Sequence, residues 1–110
     1  MNLCKNDGVG PLCIACVYGH EGTAQRLLNN SAADVNLRDK DGTSPLYIGC
    51  CNGHENIAHW LLSNGANVNL CNKNGNNPLW IARQKGHERI EQLLIRNGAE
   101  VINELFKINT

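Results

Sequence analysis

Residues 41–73 read Asp-Gly-Thr-Ser-Pro-Leu-Tyr-Ile-Gly-Cys-Cys-Asn-Gly-His-Glu-Asn-Ile-Ala-His-Trp-Leu-Leu-Ser-Asn-Gly-Ala-Asn-Val-Asn-Leu-Cys-Asn-Lys. The same pattern occurs once before this stretch and once after it. Two landmarks set the register: Pro-Leu falls at 11–12, 45–46 and 78–79, and Gly-His-Glu falls at 19–21, 53–55 and 86–88. Corresponding positions are therefore 34 and then 33 residues apart. A fixed period of this length is typical of stacked repeat proteins, in which each unit buries its apolar face against its neighbours.

Each repeat carries the same start and stop signals for two short helices. An Asp-Gly or Asn-Gly turn comes first, because both residue types tolerate turn conformations. Proline then opens a helix, where its missing N–H costs nothing, and glycine ends that helix in a left-handed conformation. These signals predict first helices at about 11–18, 45–52 and 78–85, and second helices at about 21–30, 55–64 and 88–97. In the first repeat, Ser31 replaces the glycine after the second helix, which predicts a longer loop at 29–34.

The motif resembles the ankyrin repeat over about residues 7–98. The family's Thr-Pro-Leu-His appears as Gly-Pro-Leu-Cys at 10–13, Ser-Pro-Leu-Tyr at 44–47 and Asn-Pro-Leu-Trp at 77–80, and its Gly-Ala-Asp-Val-Asn appears as Gly-Ala-Asn-Val-Asn at 65–69. The resemblance implies an all-α solenoid of stacked helix-turn-helix pairs with projecting β-turn loops. It implies one domain over 1–110, with repeats at about 7–40, 41–73 and 74–98 and a C-terminal capping segment at 99–110.

Composition excludes several classes of function. Lys plus Arg and Asp plus Glu both number ten, so the chain lacks the basic footprint of a dedicated nucleic-acid binder. No apolar run approaches the ~20 residues that span a bilayer, and the N-terminus lacks the layout of a signal peptide. We therefore expect no nucleic-acid or membrane partner, a cytoplasmic or nuclear location, and six cysteines held as reduced thiols.

The two ends of the array differ from its middle. In the second helices, Thr23 and Arg26 stand where the middle repeat has apolar Ile57 and Trp60. In the last repeat, Arg83 and Glu91 stand where the other repeats have small residues, namely Cys16 and Ala24 or Cys50 and Ala58. Polar residues on both outer faces are what a finite stack needs for solubility. The pattern predicts a self-contained unit of three repeats, with Arg83 paired to Glu91.

After Gly98 the repeat pattern degrades, but apolar residues at 101, 102, 105 and 106 fit one face of a helix. One interpretation is a short helix that caps the last repeat. The alternative is a hydrophobic tail that docks on a partner or on a second copy of the chain.

The chemistry-bearing residue types have structural explanations. Cys13, Cys16 and His20 have metal-like spacing, but a zinc site needs four placed ligands, and Cys16 occupies a small buried position of the repeat. Histidine recurs after the turn glycine as His20, His54 and His87, which favours a scaffold role such as bonding backbone groups of the adjoining loop. No nucleophile elbow, phosphate loop or paired-carboxylate pattern is present. We predict no catalytic residue, no metal and no cofactor, and hence no enzyme.

The resemblance places partner binding on the loop tips and the exposed edge of the first helices, a concave strip that crosses every repeat. Carried onto this chain, the strip comprises Asn6, Asp7, Val9, Val17, Tyr18, Arg38, Lys40, Asp41, Thr43, Tyr47, Cys51, Asn52, Cys71, Lys73, Asn74, Asn76, Trp80, Gln84 and Lys85. We expect Tyr18, Tyr47 and Trp80 to be its aromatic anchors. The alternative for Tyr47 and Trp80 is that they pack against neighbouring loops. The basic residues of the strip suggest an acidic segment as partner.

We therefore predict a non-catalytic protein-interaction module, monomeric in its favoured form. Two alternatives remain at this point: a module that self-associates by dimerising or exchanging a repeat, and a protein that responds to metal or oxidants through its thiols. The resemblance also implies that Asn36 and Asn69, each following valine, match a position that is hydroxylated in some ankyrin proteins.

Overall fold

The computed structural model describes residues 10–30 and 34–101. Those residues form six helices, with turns and no strand between them. The helices are α1 (Gly10–Tyr18), α2 (Glu21–Asn29), α3 (Pro45–Asn52), α4 (Glu55–Ser63), α5 (Pro78–Lys85) and α6 (Glu88–Arg96). The all-α prediction is confirmed, and the predicted helix bounds agree with the observed ones to within a residue or two.

The six helices stack as three pairs in two rows. Within each pair the first helix contacts the second, so that α1 packs on α2, α3 on α4 and α5 on α6. Along the array, the first helices contact one another in the order α1, α3, α5, and the second helices in the order α2, α4, α6. These contacts between helices of the same row join neighbouring repeats, as a solenoid requires.

Polar caps and proline start the first helices of repeats two and three. The Ser44 hydroxyl accepts a hydrogen bond from the Tyr47 amide at 3.2 Å, and the Asn77 carboxamide oxygen accepts one from the Trp80 amide at 2.9 Å. Both capping side chains are 2% exposed. Without them, buried amides at the helix N-terminus would lose their partners.

In repeats two and three, the histidine before the second helix contacts the C-terminal end of the first helix of the repeat before it. The Nε2 atom of His54 lies 3.3 Å from the Val17 carbonyl oxygen, and that of His87 lies 3.3 Å from the Cys51 carbonyl oxygen. The same rings fill the space beside Gly19 and Gly53, where an added Cβ would come within 2.7 and 2.9 Å of them. The predicted scaffold role is confirmed for these two histidines, and the glycines are needed for close approach as well as for their positive φ.

The core runs through the interfaces between repeats. Ile48, Ile57 and Leu61 of the middle repeat are 0% exposed. Burial of each such side chain stabilises the fold by about 1.5–3 kcal/mol. Ile14, which occupies the position of Ile48 in the first repeat, is 39% exposed. Among the described residues, no helix pair precedes α1.

Both array ends carry the expected polar residues. Thr23 and Arg26 are exposed on α2. At the other end, the Arg83 Nε atom donates to the Glu91 carboxylate at 3.2 Å, so the predicted pair is confirmed.

Several predictions fall outside the described residues. These are Asn6, Asp7 and Val9 of the strip, most of the longer loop at 29–34, and all but the first residues of the capping segment at 99–110.

Candidate functional site

Two loops of nearly identical construction project between the repeats. We call residues 38–43 the first finger and residues 71–76 the second finger. In the first finger, one carboxylate oxygen of Asp39 accepts from the amides of Asp41 at 2.8 Å and Thr43 at 2.9 Å. The backbone closes the turn, because the Asp39 amide donates to the Thr43 carbonyl at 3.0 Å and the Gly42 amide to the Asp39 carbonyl at 2.9 Å.

The second finger has the same construction, with the neutral side chain of Asn72 in place of the Asp39 carboxylate. The Asn72 carboxamide oxygen accepts from the amides of Asn74 at 2.9 Å and Asn76 at 3.1 Å. The Asn72 amide donates to the Asn76 carbonyl, and the Gly75 amide donates to the Asn72 carbonyl, both at 2.9 Å. Each finger is therefore rigid without any contribution from its outward-facing side chains.

The fingers are also joined to each other. The Lys73 amide donates to the Asp41 carbonyl at 3.0 Å, and the Lys73 ammonium lies 2.9 Å from the Asp41 carboxylate. A Cβ at Gly42 would lie 3.0 Å from the Lys73 nitrogen, so this close approach requires glycine. The hydrogen bond and charge of Asp41 raise the pKa of Lys73, which stays cationic.

An open depression of about 510 Å³ lies where the two fingers meet. Its lining consists of Arg38, Asp39, Lys40, Gly42, Cys71, Asn72 and Lys73. Three of these residues are cationic and one is anionic, and the Asp39 carboxylate faces the backbone amides of its own finger. The depression therefore offers positive charge to a binding partner.

The edges of the first helices continue this surface along the array. Tyr18 is 66% exposed, and its ring stacks on the His20 ring with centroids 5.8 Å apart. Asn52, Gln84 and Lys85 are exposed, and Trp80 is partly buried against the core.

This geometry of repeated helix pairs and braced fingers is matched by family models. A model described as ankyrin repeats (3 copies) matches residues 1–70, and one described as ankyrin repeats (many copies) matches residues 52–95. The chain belongs to the ankyrin repeat family. No match to it was found among curated proteins. Ankyrin repeats are generally protein–protein interaction modules.

Three of the predicted strip residues of this ankyrin chain lie below the surface. Thr43 is 8% exposed, Tyr47 is 7% exposed and Cys51 is 9% exposed. Burial raises the pKa of the Tyr47 hydroxyl to about 12, and the Asn72 side chain hydrogen-bonds to it. For Tyr47 the structure therefore supports the alternative interpretation, packing against the neighbouring loop. The second finger covers it, so Tyr47 offers little area to a partner.

The buried thiols are poor nucleophiles. Burial raises the pKa of Cys16 to about 12 and raises that of Cys50 still further, with the neighbouring thiols adding to the effect. Burial also raises the pKa of Cys51, against the charge of Lys85. Cys16, Cys50, Cys51 and Cys71 are free thiols. Cys13 departs from the expectation of reduced thiols, because it is disulfide-bonded. Among the described residues, no three His, Cys, Asp or Glu side chains are grouped to hold a metal ion.

Asn36 and Asn69 form a ladder that links the loops after the second helices. Asn36 donates to the Gly65 carbonyl at 3.1 Å and accepts from the Asn67 amide at 2.8 Å. Asn69 repeats both bonds one repeat later, to the Gly98 carbonyl at 3.2 Å and from the Glu100 amide at 2.8 Å. Their hydroxylation stays a prediction, and a modifying enzyme would have to open these bonds to reach either carboxamide.

Sequence reasoning missed the residues that brace the site. Asp39 and Asn72 line the depression and hold both fingers, yet neither was among the predicted strip residues. Their signal was available, since they occupy one register position 33 residues apart, each three residues before the turn glycine.

No helix in the described part of the chain is long and apolar enough to cross a membrane.

Proposed function

We propose that the chain binds an acidic segment of another protein along a surface made by the two fingers and the exposed edges of α1, α3 and α5. We call this surface the binding strip. Its described, accessible members are Val17, Tyr18, Arg38, Lys40, Asp41, Asn52, Cys71, Lys73, Asn74, Asn76, Trp80, Gln84 and Lys85.

The charge of the binding strip is the observation that carries the proposal. Its charged side chains are four cations, Arg38, Lys40, Lys73 and Lys85, and one anion, Asp41. The chain as a whole is neutral, with ten residues of each sign. Positive charge is therefore concentrated on this surface, which steers and orients a negatively charged partner.

The aromatic members supply apolar area between these charges. Tyr18, at 66% exposure, presents a rigid ring at the first-repeat end of the binding strip. Trp80 lies at the third-repeat end, where its partly buried ring is already held in place by the core. Rigid aromatic side chains are enriched among residues that dominate binding energy, because little entropy is lost when they are covered.

Selection from a peptide library tests the proposal. Peptides that bind the wild-type chain are expected to be rich in Asp and Glu, and their affinity is expected to fall about tenfold or more in Arg38→Glu/Lys85→Glu. Arg26→Glu is the matched control, because Arg26 is exposed on α2 and lies outside the binding strip. Binders that are not acidic, or that lose equal affinity in the control, would contradict the proposal.

Self-association is the second candidate, favoured by the exposure of Ile14 at the outer face of α1. The corresponding isoleucines of repeats two and three, Ile48 and Ile81, are buried. End-to-end stacking of two copies would, however, bury the Arg83–Glu91 pair, which costs desolvation energy. We therefore favour the monomer. Light scattering over a range of concentrations separates the two candidates, since stacking makes the mass rise with concentration.

A further inference from the structure

The chain contains four Asn-Gly pairs, at 52–53, 64–65, 74–75 and 97–98. In such a pair the glycine nitrogen is not shielded by a side chain, so it can attack the asparagine Cγ atom and close a five-membered ring. The reaction needs an asparagine carboxamide that is free to turn toward the following residue.

Three of the four carboxamides are bonded in the opposite direction. The Nδ2 atom of Asn52 donates to the Ile48 carbonyl at 3.0 Å, that of Asn64 to the Trp60 carbonyl at 2.8 Å, and that of Asn97 to the Leu93 carbonyl at 2.8 Å. Each bond reaches back one helical turn at a helix C-terminus. It holds the carboxamide away from the glycine that follows.

Asn74 differs from these three. It is exposed at the tip of the second finger, and its backbone amide, not its carboxamide, takes part in the turn. Within the described residues, the Asn74 carboxamide makes no hydrogen bond. The attacking nitrogen does not explain the difference, because the amides of Gly65, Gly75 and Gly98 each donate to the carbonyl three residues earlier.

We propose that Asn74 is a site of spontaneous deamidation. The Gly75 nitrogen forms a bond to Cγ of Asn74, the bond from Cγ to Nδ2 breaks, and the nitrogen leaves as ammonia with the proton of the Gly75 amide. Water then opens the cyclic imide at either carbonyl, giving aspartate or isoaspartate. No oxidant, reductant or enzyme is needed.

The first finger shows that an aspartate product fits. Asp41 occupies the same register position as Asn74, and Gly42 the same position as Gly75. Gly42 and Gly75 have φ of 76° and 79°, and both fingers contain the same turn bonds. Deamidation to aspartate therefore leaves the backbone of the second finger unchanged, whereas isoaspartate adds a methylene to the main chain and lengthens the turn.

The new carboxylate lies beside Lys73, and it lowers the net positive charge of the binding strip by one unit. This consequence rests on the proposed function. If the partner segment is acidic, a deamidated chain binds it more weakly, so that the age of the protein modulates its affinity.

Peptide mapping by mass spectrometry on purified chain aged in mildly alkaline buffer tests the site itself. We expect Asn74 to gain the mass of an NH-to-O exchange about two- to tenfold faster than each of the other three asparagines, the factor that one hydrogen bond's net free energy corresponds to. In concentrated urea, where the helix ends are unfolded, the four rates are expected to converge. Equal rates in the native chain, or an equal excess at Asn74 in urea, would overturn the proposal.

Two variants separate the site from its consequence. Asn74→Gln is expected to remove the fast mass gain. Asn74→Asp is expected to lower affinity for acidic peptides, whereas Gln25→Glu, an exposed control on α2 with the same charge change, leaves it unaltered. Rapid deamidation with unchanged affinity in Asn74→Asp would leave the site standing and count against the acidic-partner proposal.

Discussion

Gly53 and Gly86 offer a matched pair of substitutions that measures how firmly one repeat locks onto the next. Both glycines end a first helix in the left-handed conformation, with φ of 77° and 74°. An added Cβ at Gly53 would meet the His87 ring at 2.9 Å, whereas one at Gly86 has no atom within 4 Å. Alanine therefore introduces the same backbone strain at both positions and a collision at only one.

The expected magnitudes follow from these contacts. Gly86→Ala is expected to lower the free energy of unfolding by about 1–2 kcal/mol, the strain of a left-handed alanine. Gly53→Ala must also displace the His87 ring, whose Nε2 atom lies 3.3 Å from the Cys51 carbonyl oxygen. Loss of that hydrogen bond adds about 0.5–1.5 kcal/mol. The total for Gly53→Ala is then about 1.5–3.5 kcal/mol, a large fraction of the stability of a small domain.

Urea unfolding followed by far-UV circular dichroism measures both variants, with unchanged slopes showing that the unfolding reaction is the same. A double-mutant cycle with His87→Ala isolates the contact, because removing the ring frees the space that the new methyl group needs. In the His87→Ala background, Gly53→Ala is then expected to lower the free energy of unfolding by no more than Gly86→Ala does. Equal destabilisation of Gly53→Ala and Gly86→Ala in the wild-type background would refute the reasoning that the ring is fixed against the preceding repeat.

Three further predictions concern the core, a cap and pH. Ile57→Ala leaves a cavity at a fully buried site and is expected to lower the free energy of unfolding by about 2–5 kcal/mol. Ile14→Ala, at a side chain that is 39% exposed, should lower it by less than half as much when both variants are unfolded in urea. Similar losses for the two variants would contradict the placement of Ile14 at the end of the array. Ser44→Ala removes the acceptor of the Tyr47 amide and should cost about 1 kcal/mol in thermal melts, where an unchanged midpoint would argue against the cap. Stability should be flat below pH 9.0 and fall as pH rises toward 12, because the unfolded chain ionises the Cys16 thiol near 9.0 while the folded chain holds its proton to about 12. Cys16→Ala should make that decline less steep in urea titrations across the same pH range, with the buried Cys50 and Tyr47 accounting for the remainder; an unaltered slope would count against the assignment.

The helices and their ends were predictable because local chemistry sets them. Proline at 45 and 78, glycine at 53 and 86 and the caps at Ser44 and Asn77 act within one turn of the chain. The outer faces were predictable as well, since Arg83 and Glu91 interrupt a pattern of small residues that the other repeats keep.

Exposure on the binding strip was not predictable in the same way. Register shows that Tyr18 and Asn52 correspond, and that Tyr47 corresponds to Trp80, but not how much of each side chain a neighbouring finger covers. Ile14 and Ile48 make the point with one residue type, because they are 39% and 0% exposed at equivalent positions. The burial of these side chains depends on the interface between neighbouring repeats. The sequence of a single repeat does not specify that interface.

In each finger, different residues hold the backbone and face a partner. The outward-facing residues can therefore change without loss of the fold. Asp39 and Asn72 each hold two backbone amides, and the bond from one finger to the next joins the Lys73 amide to the Asp41 carbonyl. None of these backbone bonds needs the side chains of Arg38, Lys40 or Lys73. Substitution of those side chains should therefore change affinity far more than stability. The braces are the opposite case, because replacing Asp39 or Asn72 by alanine would free the amides of a whole finger and alter binding only through the loss of its shape.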